Sequence, residues 1–328
     1  MAAGAHLPAC LRDTSCVLVP RVLTSCDAIE WPGGQRRSRS AIIRVVVSVI
    51  VPAHSEARVI GRLLGPIVSP AAPGDRPDEL DVIVVANGCT DDTAAVAASF
   101  GPPVRVLSIA EASKRAALVA GDAAARGFPR IYADADVELG ARDIKALDAA
   151  LRRSGVLAVA PERELALAGR PWLVRWYFAV WTQLPEVRRG IFGRGVVGVS
   201  ESGHARITNL PPLMADDLAA SLSFAPGERV ITADARVIVH PPRTAADLLR
   251  RRVRAAVTVT QIEQTAGAPA ATARTRPADL LAIARTGPGM AARVLVFMAV
   301  AVFARLRARR AVARGDYSTW LRDESSRL

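Results

Sequence analysis

IYADADVE, residues 131–138, is the stretch from which the rest of the chain is read. Ile131 and Tyr132 end an apolar run of the kind that forms a buried strand. Two carboxylates one residue apart, Asp134 and Asp136, follow where that strand leaves the sheet. In an open α/β sheet the carboxyl ends of the strands face the crevice where ligands bind. In a turn at that place, one carboxylate can hold a metal directly while the other works through water or a ligand hydroxyl. Asp-x-Asp alone is also common in solvated turns before a helix, so its meaning rests on its neighbours.

Working outward, IIRVVVSVIVP (42–52) predicts a first strand closed by Pro52, then a loop, AHSEA. A helix is expected over 56–69, where Ile60, Leu63, Leu64 and Ile67 recur at helical spacing. LDVIVVA (80–86) predicts a second strand running into NGCTDDT, whose Thr90, Asp91 and Asp92 are N-cap candidates for a helix at 92–100. VRVLSIA (104–110) is a third strand, and EASKRAALVAGDAAARG a helix stopped by Gly127. The strand 129–134 and the aspartates come next. This alternation predicts a mostly parallel sheet with helices on both faces. Beyond it, the pattern predicts a helix at 141–153, a strand at 155–161, an acid-headed helix at 214–224, a strand at 230–241 and an Arg-rich helix at 245–264. The span between, 162–200, carries Trp172, Trp176, Tyr177, Phe178, Trp181 and Phe192, followed by the glycine-rich GIFGRGVVGVS. Those aromatics read either as core packing or as faces for a sugar.

Composition limits the class. A hydrophobic share of 51% in 328 residues excludes a disordered chain and allows one large core with an appendage. The formal net charge is +12, and Lys114 and Lys145 are the only lysines. Residues 241–328 hold 16 arginines against 6 acidic residues, so the excess sits in the last quarter. Such a tail suits an anionic lipid or phosphate. Cys10, Cys16, Cys26 and Cys89 have neither zinc-site spacing nor a second cluster, which predicts no disulfide framework. The first 40 residues lack a basic segment followed by a long apolar core.

Four segments in order, VSVIVPAHSE, VIVVANGCTDDT, ASKRAALVAGDAAARG and YADADVEL, resemble the nucleotide-sugar half of family 2 glycosyltransferases, inverting enzymes of the GT-A fold. The resemblance covers about 46–256. It implies a Rossmann-like, mostly parallel mixed sheet flanked by helices, with a C-terminal helical appendage. It also implies a donor site of Pro52, Ala53, Glu56, Asn87, Asp91, Lys114 and Asp134. Asp136 with Asp134 would hold Mg2+ or Mn2+, and Asp217, with Asp216 second, would be the base. A nucleoside diphosphate leaving group does need a hard cation with oxygen ligands. Inversion in one displacement does need a carboxylate near the acceptor hydroxyl. Asp216 and Asp217 also read as a cap for their helix.

Three departures bear on substrate. Ser55 stands where the family has Asn, and Ala86-Asn87 where it has Asp-Asp, so the partner of a uracil N–H is missing. RRVRA (251–255) replaces the Gln-x-x-Arg-Trp box of processive synthases, keeping only Arg254. Transfer of one sugar at a time is therefore expected, with Arg251 and Arg254 toward the diphosphate or an anionic acceptor. The acceptor is expected to be a hydroxyl of a glycan, lipid or small molecule, in envelope or secondary-metabolite glycosylation.

The expected organisation is an extension (1–41), a GT-A domain (42–264), a linker (265–277) and a basic helical tail (278–328). VLVFMAVAVFA (294–304) is an apolar run of 11 residues between Arg293 and Arg305, shorter than the ~20 a membrane span needs. It reads as a core-facing helix or as one lying in a membrane interface. The expected location is cytoplasmic, with the tail against an anionic inner membrane surface. The competing class is a basic nucleotide- or anionic-lipid-binding protein without transferase activity. Nucleic acid is not an expected partner, since successive acidic loops would repel its phosphates unless a cation intervened.

Overall fold

The computed structural model describes residues 46–72, 74–75, 79–209, 216–266 and 275–313. Seven strands form one sheet: β1 (Val47–Ala53), β2 (Leu80–Asn87), β3 (Val104–Ile109), β4 (Arg130–Ala133), β5 (Ala158–Leu165), β6 (Val196–Val199) and β7 (Arg229–Val239). Their order is β3-β2-β1-β4-β6-β5-β7. β2 and β4 flank β1 in parallel, and β3 continues parallel beyond β2. β6 runs antiparallel to both β4 and β5, and β5 pairs in parallel with β7. The chain lays β2 and β3 on one side of β1 and then returns to place β4 on the other. That reversal makes the carboxyl ends of β1 and β4 a topological switch point.

The first strands are apolar throughout because both of their faces are covered. Val47, Val49, Val51 and Ala53 of β1 meet Ile60, Leu63, Leu64 and Ile67 of α1 (Ile60–Val68) and Ile144 and Leu147 of α4 (Ala141–Leu151). On the other face Ile50 joins Ile83, Val85 and Ala117, the last from α3 (Lys114–Ala124). Each such buried branched side chain contributes ~1.5–3 kcal/mol. Gly121 lets α3 come this close, since a Cβ there would sit 2.4 Å from Ile50 Cγ2. At the far end of the sheet Arg105 grips the buried Asp81 with two hydrogen bonds of 2.7 and 2.8 Å and donates to the Ala124 carbonyl.

Several boundaries differ from expectation. α1 begins at Ile60 rather than 56, because the Glu56 carbonyl accepts the N–H groups of both Val59 and Ile60 and closes a turn first. α2 (Thr93–Ala98) has Asp92 at its N-cap without a side-chain cap bond. α3 starts from a Ser113 cap and ends at Ala124, before Gly127, whose N–H instead donates to Ser48 Oγ. The stretch 162–200 holds α5 (Trp172–Trp181), α6 (Pro185–Arg189) and the strand β6; α7 (Glu201–Thr208) follows directly. A four-residue antiparallel strand containing Gly198 has too little pattern to be read in advance.

The C-terminal half adds α8 (Asp216–Ser223), α9 (Ala245–Ala266), α10 (Pro277–Ala284) and α11 (Pro288–Ala313). Val174, Tyr177 and Phe178 of α5 pack with Leu248, Ile283, Met290, Val294, Phe297 and Val300 as a second core. The Tyr177 and Phe297 rings stack at 4.9 Å. The 294–304 run is thus the middle of a 26-residue helix with one face docked on the domain. Of the expected linker, 267–274 lie outside the described residues, as does the whole extension 1–41.

Candidate active site

The loops after β1 and β2 are knitted together at the sheet's carboxyl edge. The buried Asn87 amide donates to the Ala53 carbonyl at 2.8 Å, and His54 Nδ1 lies 2.5 Å from the Asn87 carbonyl. Ser55, in the left-handed region at φ 52°, meets Thr90 through its hydroxyl, and its N–H donates to Cys89 Sγ. The Glu56 N–H donates to Thr93 Oγ1 at 2.7 Å. Asp91 accepts from the Ala57 N–H and from both the N–H and hydroxyl of Thr93. Burial works to raise the Asp91 pKa, but those hydrogen bonds outweigh it and hold the carboxyl below its ordinary value. So Asp91 orders the loop rather than capping α2. Asn87 serves as a clamp between strand ends, with Pro52 half-buried, and Ala53 and Glu56 buried, beside it.

Across the switch point stands the Asp-x-Asp turn. Lys114, the first residue of α3, places Nζ 2.7 Å from Asp134 Oδ1, with the two side chains 45% and 41% exposed. The Asp134 N–H donates to the Gly195 carbonyl at 2.7 Å, which ties the turn to the loop before β6. Gly195 adopts φ +69°, and a Cβ there would lie 2.6 Å from Val137 Cγ1 and 3.4 Å from Asp134 Oδ2. Asp136 is half-buried in the same turn. Glu138 fixes the turn's far side, pairing with His240 Nε2 at 2.7 Å and exchanging backbone bonds with Ile238 of β7.

Beneath Asp134 lies a polar network. Tyr132 donates its hydroxyl proton to Asp122 Oδ1 (2.9 Å) and faces His204 Nδ1 (2.9 Å). Arg130 Nη1 bonds Asp122 (2.7 Å) and lies 3.0 Å from His204 Nε2. A guanidinium can only donate, so Nε2 accepts and Nδ1 carries the proton toward the Tyr132 oxygen. Burial, opposed by Asp122 and helped by Arg130, lowers the His204 pKa and keeps the ring neutral. Burial, then the Asp122 carboxylate, pushes the Tyr132 hydroxyl up.

The glycine-rich loop 190–195 also gathers arginines that carry no local sequence sign. Arg163 donates to the Gly193 carbonyl at 3.1 Å and lies over the Trp181 ring at 4.4 Å. Arg194 is buried, bonds the Pro161, Gly190 and Arg188 carbonyls, and stands 3.7 Å from Glu162. Burial, then the neighbouring charges of Arg194 and Arg251, brings Arg163 down to about 9. In α9, Arg251 is half-buried and its neighbour Arg252 lies over Tyr177. Arg250 is held by Asp247 within α9, and Arg254 is half-buried one turn further on. Asp216 and Asp217 open α8; their side chains lie outside the described residues. Of the six aromatics in 162–200, Tyr177 and Phe178 are core, whereas Trp172 is 58% exposed.

Among the described residues, no three His, Cys, Asp or Glu side chains come together as a closed metal cage. Asp134 and Asp136 share one half-exposed turn, and carboxylate oxygens are the donors that a hard divalent cation takes together with water. In their chemistry these two residues fit such a cation.

Residues 48–199 match the family model described as Glycosyl transferase family 2. No curated protein matches the sequence. Among solved structures, the chain is similar to a mannosyltransferase from Pyrobaculum calidifontis in complex with GDP-Man and Mn2+. The two share 21% identity, 85% of this chain and 89% of that one are covered, and the TM-score is 0.55. S. aureus TarS 1-349 in complex with UDP-GlcNAc aligns at 12% identity, covering 84% and 93% of the two chains, with TM-score 0.45. Glucosyl-3-phosphoglycerate synthase from Mycobacterium tuberculosis, in complex with phosphoglyceric acid, aligns at 20% identity, 60% and 70% coverage, and TM-score 0.43.

Proposed function

The chain carries a family 2 glycosyltransferase domain of GT-A fold and is a transferase enzyme; from that premise we propose an inverting, cation-dependent transfer of one sugar from a nucleoside diphosphate to an acceptor hydroxyl. The observation that carries this reading is the Lys114–Asp134 pair just past the end of β4, the strand beside β1, whose loop 53–57 is knitted to 87–93. Those loops receive the nucleoside, with Pro52, Ala53 and Glu56 on one side and Asp91 on the other. Asn87, its amide committed to the Ala53 carbonyl, acts by holding the two loops in register.

Asp134 and Asp136 would hold Mg2+ or Mn2+, which when bound offsets the charge of the leaving diphosphate. The GDP-Man and Mn2+ named with the Pyrobaculum enzyme support that donor chemistry. Lys114 turns from Asp134 toward the phosphate oxygens when nucleotide arrives, and Arg251, with Arg254 behind it, lies toward the diphosphate or an anionic acceptor. Asp217 takes the acceptor proton as the new bond forms, with Asp216 as its neighbour at the head of α8. The acceptor is a glycan, lipid or small molecule, and the enzyme works on the cytoplasmic side, against the inner membrane surface.

The direct test is Mn2+-dependent binding of GDP and UDP to the whole protein and to Asp136→Asn, which removes a charge while nearly keeping shape. Nucleotide affinity should require Mn2+ in the parent and lose that dependence in the variant. Equal, Mn2+-dependent affinity in both proteins would remove Asp136 from the metal site.

A further inference from the structure

Helix α11 is apolar on the side that it buries and on the side that it does not. Its inner face, Met290, Val294, Phe297, Val300, Ala304 and Ala308, packs against α5 and α9. The opposite stripe recurs at spacings of three and four through Leu295, Met298, Val302 and Leu306, joined by Phe303. All five are exposed, Leu295 by 63% and Val302 by 53%. Only 22% of the most apolar 18-residue window within Pro288–Arg310 is buried. A helix that is apolar all round normally has protein or lipid on every side.

Charge selects the occupant. No acidic residue occurs between Pro288 and Ala313, and the exposed stripe ends in Arg305, Arg307, Arg309 and Arg310, all exposed. Arg307 lies 5.2 Å over the Phe303 ring, so apolar and cationic groups share one surface. A second copy pairing through this helix, in either direction, would bring no carboxylate of that helix to answer the arginines. A bilayer leaflet offers both an apolar layer and, when anionic, a matching charge. The helix is long enough to cross a membrane, but crossing would strip Phe297 from Tyr177 and open the core it closes.

We infer that α11 lies flat in the headgroup layer of an anionic membrane, inserting Leu295, Met298, Val302, Phe303 and Leu306 while its inner face stays docked on the domain. This gives the proposed membrane-side location a specific surface. The test is flotation of the full-length protein with vesicles of phosphatidylcholine alone, and with phosphatidylglycerol added to half the lipid.

Binding should need the anionic lipid and weaken about fivefold for each arginine removed in Arg309→Gln and Arg310→Gln. The triple variant Leu295→Ser, Val302→Ser, Leu306→Ser should lose flotation while unfolding at the parent temperature, because all three side chains are outside the core. Absence of binding to anionic vesicles, binding that survives the triple variant, or a dimer that the triple variant converts to monomer without vesicle binding would each overturn the inference. No sugar nucleotide enters this assay, so its failure would leave the proposed transfer reaction standing.

Discussion

Replacing Lys114 with Met should move two affinities in opposite directions. The ammonium is 2.7 Å from Asp134 Oδ1, and both side chains are more than 40% exposed. A pair so exposed contributes only ~0–1 kcal/mol to stability. The melting temperature should therefore fall by no more than about 2–4 °C. The same pair competes with any cation for Asp134. Its removal should raise the affinity for Mn2+ alone, by at most about fivefold. The nucleotide loses instead: a charge-assisted hydrogen bond to phosphate is worth ~1.5–3 kcal/mol, so GDP affinity at saturating Mn2+ should drop about 12- to 150-fold. Calorimetric titration with Mn2+, then with GDP in its presence, reads both. Unchanged GDP affinity would reduce Lys114 to a surface partner, and weakened Mn2+ affinity would mean that it supports the metal rather than competing with it.

Three further outcomes are expected. Asp217→Asn should slow single-turnover transfer by roughly 10²–10⁴ and leave nucleotide affinity nearly intact, with Asp216→Asn costing less; lost affinity instead would move the pair to the donor side. Gly195→Ala must place a Cβ 2.6 Å from Val137 Cγ1 at φ +69°, so denaturant unfolding should show a loss of ~1–3 kcal/mol, and an unchanged midpoint would deny the strain. His204 has its folded pKa below the ordinary 6.5, so the unfolded chain binds more protons between those two values. Stability should accordingly rise with pH through that window and fall below about 6.5; His204→Asn should flatten the dependence, and an identical profile in the variant would assign it elsewhere.

The first half of the sheet was legible because its strands are covered on both faces. Val49, Ile50 and Val51 must all be apolar when α1 and α4 lie on one side and α3 on the other. β6 left no such trace. It is short, and Gly198 sits where a Cβ would strike Val159 at 2.9 Å, a packing demand that no local pattern announces. Asp134 and Asp136 could be singled out by spacing, but not the bond from Asp134 to Gly195 or the Trp181 ring under Arg163. Those contacts join positions about 20 to 60 residues apart along the chain. For Asn87 the motif suggested a ligand contact but gave no sign that its amide also bonds the neighbouring strand end. For α11, composition raised two alternatives, core or interface, and packing assigns the first to one face only.

The antiparallel insertion of β6 between β4 and β5 has a consequence for how the protein is made. During synthesis β1 to β4 can pair as soon as they emerge, but β4 is then an edge strand with open N–H and C=O groups. Its second neighbour ends at Val199, and at ~5–20 residues per second the wait from Ala133 is roughly 3–13 s. Through that interval the turn bearing both aspartates has no Gly195 carbonyl to brace it. A nascent chain that has paired β4 with β1 but not yet made β6 thus has a second open edge besides β3, at the strand that leads into the carboxylates.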